Sequence, residues 1–168
     1  MTITTIPFHH YLGIELAEAP NLLKLQSQPH HANHLGTIHA SVLIALAEAA
    51  SGLFLMQHLR SPHAPREAAL QSQSDMANAQ VSQHHAERDD YVGENIFPVI
   101  RRIDAKFHQG GQGIIYARCT LDPKELSTVR TDLQQKRRAK VQVPMQVIDA
   151  KGVLLLSVTY DWFISSSS

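Results

Sequence analysis

Hydrophobic positions along the chain follow two spacings. The longest apolar run, His39 to Met56 (HASVLIALAEAASGLFLM), is dominated by Ala, Leu and Met, contains no Pro and is apolar around its whole circumference. Ala and Leu are strong helix formers, and a helix that is apolar all round is one buried on every side. This stretch is therefore expected to be the buried central helix of the domain. Around it the period falls to two, the spacing of strands with one buried face. Ile6 to Leu12 reads as a short opening helix or turn ended by Gly13, and Ile14 and Leu16 open a first strand. Leu23, Leu25 and Ser27 mark a second strand. Val99, Ile103, Ala105 and Phe107 share one parity of a third, with Arg102, Asp104, Lys106 and His108 on the other. Ile115, Ala117, Cys119 and Leu121 follow a Gly-rich turn. Val141 to Val147 and Leu154 to Ile164 alternate again on either side of a hairpin turn at Asp149-Ala150-Lys151-Gly152. Pro144 inside its run suggests an edge strand or a bulge. Asp122-Pro123-Lys124-Glu125 reads as a helix start, with Asp as N-cap, Pro in the first position and Glu closing a capping box. Leu126, Val129 and Leu133 give that helix one apolar stripe. Short strands, one long helix and then a run of strands describe an α+β domain, an antiparallel sheet wrapped around a helix.

One segment breaks the pattern. Residues 61–95 are polar, and after Pro65 only a weak helix over Arg66 to Gln83 is suggested. A connection of this length is usually functional or disordered, and it is expected to be an insertion acting as a lid within a single domain of 168 residues. The formal net charge is zero, which removes general electrostatic attraction to nucleic acid or to a membrane surface. The apolar run falls slightly short of the roughly 20 residues of a membrane span and carries Glu48 near its middle, so no membrane crossing is expected. The single cysteine, Cys119, excludes an internal disulfide and fits a reducing, cytoplasmic compartment. Eleven histidines cluster as His9-His10, His30-His31-His34 and His84-His85. None has the spacing of a recognised zinc motif, so neither a metal nor a cofactor is expected.

Glu48 is the one charged residue inside the apolar run, and a lone buried carboxylate is costly unless paired, hydrogen-bonded or neutralised. The segment NHLGTIHASVLIALAEAASG, within this element order, resembles the hotdog-fold thioesterases. It is nearest to the phenylacetate-pathway-type acyl-CoA thioesterases and a related bacterial group. In those families a loop Asn, then a Gly, then a His followed by a small residue precede the central helix, and an acid lies about two turns into it. The matching positions are Asn33, Gly36, His39-Ala40 and Glu48. The resemblance implies a hotdog fold, hydrolysis of an acyl-CoA or similar thioester, and active sites between subunits of a homodimer or homotetramer. Ala40 stands where the family often has Gly, and Glu48 where the phenylacetate-type enzymes have Asp. No Ser or Thr occurs near Val99 to Arg101, where those enzymes carry one.

These residues suit the chemistry. The amides around His39 and Ala40 open a helix and can face a developing oxyanion, aided by the helix dipole. Asn33 could hold the carbonyl or the attacking water, and Gly36 and Thr37 line the approach. Burial tends to raise a carboxyl pKa, which suits Glu48 as general base; it could instead serve as nucleophile. At about 1.5 Å per residue, Ala40 and Glu48 lie about 12 Å apart along the helix. A base must come within about 3 Å of its proton, so one helix does not serve both roles for one substrate. Two antiparallel helices across a dimer interface do. Arg101 and Arg102, and Arg137 and Arg138 within the basic run from Lys136 to Lys140, are candidates for the CoA phosphates. Two other readings accompany this one: a hotdog protein that binds an acyl ligand without turning it over, and a hotdog dehydratase using His34 with Glu48.

Overall fold

The structure, a computed structural model, describes residues 3–59 and 95–167. A 3-10 turn, Ile3–Thr5, leads into the short helix α1, Pro7–Tyr11, whose proline occupies the start, where a missing N–H costs nothing. Gly13, at φ +66, ends that segment in the left-handed region that glycine adopts without strain. There follow β1 (Ile14–Leu16), β2 (Leu23–Gln26), α2 (Ala40–Leu59), β3 (Asn95–Phe107), β4 (Ile114–Cys119), α3 (Leu126–Lys136), β5 (Arg138–Asp149) and β6 (Leu154–Ser167). The strands form one antiparallel sheet in the order β1-β2-β4-β5-β6-β3. α2 packs across its inner face. There Leu25, Ile115, Met145, Leu156 and Tyr160 are almost fully enclosed, as are Leu46 and Ala50 of the helix. This is the α+β architecture expected from the alternation of periods.

Four sequence expectations change. The central helix is not buried on all sides: Ser41 and Glu48 are exposed, and Ile44, Gly52 and Met56 are half-buried. They form one stripe at three- and four-residue spacing. A single sheet covers one side of α2, and the described residues leave the stripe only partly covered, with Ser41 and Glu48 open. The helix also runs on to Leu59. Its 20 residues are long and apolar enough to cross a membrane, yet they pack as the core of this domain.

The second change is in β3. A bulge between Ile100 and Arg102 reverses the parity of the strand. Val99 pairs with Phe163 on the outer face, whereas Ile103 pairs with Tyr160 on the inner face, so the two do not share a side. Third, Pro144 lies in β5, a central strand rather than an edge. Its carbonyl accepts from the Thr120 amide just beyond the end of β4, so its missing N–H falls where that ladder has already stopped. Fourth, Asp122 caps as expected, accepting from the Lys124 amide at 2.9 Å, but it caps a 3-10 turn. α3 begins only at Leu126, and Glu125 closes no capping box. The insertion read at 61–95 lies almost wholly in 60–94, outside the described residues.

Candidate active site

The segment entering α2 is held by its own polar groups. Asn33 Oδ1 accepts from the amides of Leu35 and Thr37, at 2.9 and 3.2 Å, while its Nδ2 donates to Thr37 Oγ1 at 3.0 Å. Gly36 takes a φ of +73 at the tip, and Ala32 bridges Ile38 at the base. Asn33 therefore builds the turn, and only one amide hydrogen of its side chain is left to face outward. The turn between β3 and β4 presses on this loop. The Ile38 amide donates to Gly111 O at 2.9 Å, and Gln112 Nε2 donates to Gly36 O at 2.9 Å. A Cβ on Gly110 would come within 2.7 Å of the Thr37 side chain, so close approach, not loop flexibility, requires glycine there.

His39 is the N-cap of α2. Its ring Nδ1 accepts from the Ser41 amide at 3.1 Å and pairs with Ser41 Oγ at 2.7 Å. The His39 amide is tied back to His31 O at 2.7 Å, and the His39 carbonyl accepts from Val42. Among the described residues the Ala40 amide has no partner, and Ala40 is exposed. The helix thus offers one open first-turn donor, at the positive end of its dipole.

Glu48 lies about two turns further on, on the partly covered stripe with Ser41 and Ile44. It is exposed on the single chain, contrary to the expected burial. Its carboxyl is nonetheless close enough to the apolar surroundings that burial pushes its pKa above the ordinary carboxylate range, while the charge of His9 partly opposes this. His9 acts through its charge from a separate element, α1; its ring Nδ1 lies 2.8 Å from Ile3 O. Sequence reading missed His9, because nothing in a His-His pair near the amino terminus indicates where it folds. On the sheet side, Tyr160 donates to Ile44 O at 2.7 Å, and Trp162 Nε1 donates to Ser51 Oγ at 3.2 Å. Ser51 in turn donates to Glu48 O at 2.8 Å. A signal for these was present: a Tyr or Trp at an inward strand position needs a polar partner, and α2 carries two hydroxyls, Ser41 and Ser51, that can supply one.

The candidate cations are not gathered here. Arg102 and Arg138 pair with Asp161 and Ser165 on the outer face of the sheet, opposite α2. Arg101, at the bulge, places its guanidinium 5.3 Å from the centre of the Phe163 ring. With Lys140, Gln142 and Asp161 it lines an outer-face cavity of about 320 Å³. Arg137 is exposed at the C-cap of α3 with φ 57, a left-handed conformation uncommon outside glycine. His34 is exposed in the lead-in loop and makes no hydrogen bond among the described residues.

No protein-family model matches the chain, and no curated protein does. Solved structures do. A protein of unknown function from Pseudomonas aeruginosa, described as a probable thioesterase, superposes with a TM-score of 0.66 over 98% of this chain and 91% of its own, at 16% identity. A Staphylococcus aureus thioesterase superposes with a TM-score of 0.55 over 94% of this chain and 98% of its own, at 10% identity. A Bacillus halodurans protein solved with CoA gives 0.50 over 84% of this chain and 65% of its own, at 13% identity. The chain has the hotdog fold, shared with the two thioesterase-named structures among these.

Proposed function

We propose that the protein hydrolyses acyl-CoA or similar thioesters at sites shared between two copies of the chain. The observation that carries this reading is the partly covered stripe of α2. The stripe carries a carboxyl with a raised pKa, at Glu48, and the helix start before it leaves an open amide, at Ala40, about 12 Å away along the helix. Neither half suffices alone, and an antiparallel second α2 would bring the Ala40 amide of one chain beside Glu48 of the other. Glu48 takes a proton from water, the resulting hydroxide adds to the thioester carbonyl, and the Ala40 amide donates to the oxyanion. Collapse breaks the C–S bond; the thiolate leaving group takes the proton back from Glu48, and the acid and free thiol depart. Asn33 and His39 act by fixing the turn and cap that aim the amide, and Gly36 and Thr37 shape the approach. The CoA-bound relative supports a CoA-type ligand. Acyl-CoA substrates and a lone cysteine are in keeping with a cytoplasmic setting.

A general base contributes about 10²- to 10⁴-fold. Glu48→Gln keeps the shape and removes the base, so kcat, followed by thiol release across acyl-CoAs of graded length, falls by that order while assembly is unchanged. In the parent, kcat declines as pH falls through the raised pKa of Glu48. If Glu48→Gln hydrolyses as fast as the parent, the mechanism is wrong. If the parent binds acyl-CoA yet releases no thiol, the protein is a ligand-binding hotdog.

A further inference from the structure

α2 rests on the sheet mainly through Ala, Val, Leu and Phe. Dispersion contacts of this kind are non-directional and resist small rotations of a helix only weakly. Two side-chain hydrogen bonds from β6 are directional, and they meet the helix on either side of Glu48, at Ile44 and at Ser51. The Tyr160 hydroxyl donates to Ile44 O, the carbonyl that also receives the Glu48 amide in the α-helical pattern. Trp162 Nε1 donates to Ser51 Oγ, which donates to the carbonyl of Glu48 itself. Tyr160 and Ser51 are both 0% exposed, and the Trp162–Ser51 bond is made out of reach of competing water. We propose that Tyr160 and the Trp162–Ser51 pair are positioning residues for Glu48, setting the rotation of α2 and hence where its carboxylate lies.

The leverage is geometric. A Glu carboxylate stands about 6 Å from the helix axis, so a rotation of about 10° moves it by about 1 Å. A misplacement of that size at a reacting centre costs about 10²-fold in rate. The helix uses its own i→i−4 bonds as well, so removing the Tyr160 hydroxyl leaves Ile44 O still paired and the helix intact. The inference rests on Glu48 being the working carboxylate; its test separates the two claims.

Tyr160→Phe and Ser51→Ala are compared with the parent by three measurements: kcat and KM with acyl-CoA, Tm, and the titration of the Glu48 carboxyl by ¹³C NMR. That signal is assigned by its loss in Glu48→Gln. Beside burial, the group that acts on Glu48 is His9 from α1, and neither substitution touches it; Glu48 in turn acts through its charge on Tyr160 from β6. In both variants kcat is expected to fall about ten- to a hundredfold with KM changed less than about twofold. Tm should drop by only about 2–4 °C in Tyr160→Phe, the effect of one lost hydrogen bond in a domain of this size, and by more in Ser51→Ala, which loses two and leaves Trp162 Nε1 unpaired. The Glu48 titration should move down towards the ordinary carboxylate range as a looser helix admits water. If Tm falls while kcat and the titration match the parent, the anchors hold only the fold and the inference is overturned. If no acyl-CoA is hydrolysed by the parent but the titration still moves, the hydrolase reading fails and the positioning role stands.

Discussion

His31 shows how much one side chain in the lead-in loop determines. It is 1% exposed, and its ring Nδ1 accepts from the Gln28 amide at 3.0 Å. An accepting Nδ1 carries no proton, so the neutral ring holds its hydrogen on Nε2, which has no partner among the described residues. Burial first, and the neighbouring charge of His30 second, hold its pKa below the ordinary histidine value. As pH falls through about 6.5, the unfolded chain takes up a proton at this position before the folded one does. The unfolded state then binds more protons, so stability contributed by His31 is present above about pH 6.5 and is lost as pH drops towards the folded pKa. His31→Asn keeps an acceptor near Nδ1 and cannot titrate. Urea midpoints measured at pH 7.5 and 5.5 should therefore differ less in the variant than in the parent; an equal difference would show that His31 is not responsible. At this scale the place of Glu48 on the helix and the helix start at Ala40 were legible, since a lone charge in an apolar run and a helix start are both visible in sequence; the exposure of Glu48 was not. The role of Asn33 was legible only as a residue type. Whether its amide faces a ligand or the amides of Leu35 and Thr37 depends on backbone angles around Gly36 that no spacing encodes.

At the scale of elements, β3 carries the consequence. It is a 13-residue strand, paired with β6 on one side and with nothing among the described residues on the other. Long edges are usually blunted by charge, proline or bulges. Pro98 and the bulge at Ile100/Arg102 are of that kind. Yet Ile103 and Phe107 on the inner face remain 43% and 48% exposed. Edge-to-edge pairing of β3 with a second copy would cover them beside the partly covered stripe of α2. In the double variant Ile103→Lys, Phe107→Lys, each substitution removes about 1.5–3 kcal/mol of burial from that contact. Sedimentation at micromolar concentration should show a dimer for the parent and a monomer for the variant. Circular dichroism should be preserved, because both positions already face solvent in the chain. A monomeric parent would end the shared-site scheme. The alternation of periods made the strands and both longer helices legible, but not the bulge, because one extra residue reverses a face without disturbing composition. Pro144 was read as an edge or bulge because sequence reveals its missing donor and not that β4 stops at Cys119. The apolarity of α2 was legible as a demand for cover. It does not distinguish cover by the chain's own sheet from cover by another molecule.

For the whole molecule, the proposed site divides into halves that one chain holds at a distance. The amide half sits at the start of α2 and the carboxylate half about 12 Å along it, so in a paired assembly each active centre draws one half from each chain. That division has a genetic consequence. Ala40→Pro deletes the donor amide at the first helical position, where proline is well tolerated, and should inactivate every centre in its own homodimer. Glu48→Gln should do the same for the other half. When the two inactive proteins are unfolded together, mixed and refolded, random pairing makes half of the dimers mixed. Each mixed dimer carries one centre with both defects and one with neither. Activity should return to roughly a quarter of the parent's, the fraction of whole centres, though neither parent strain of the mixture has any. Complementation between two dead alleles of one gene is the outward sign of an active site that belongs to no single chain, and a mixture that stays inactive would return both halves to the same subunit.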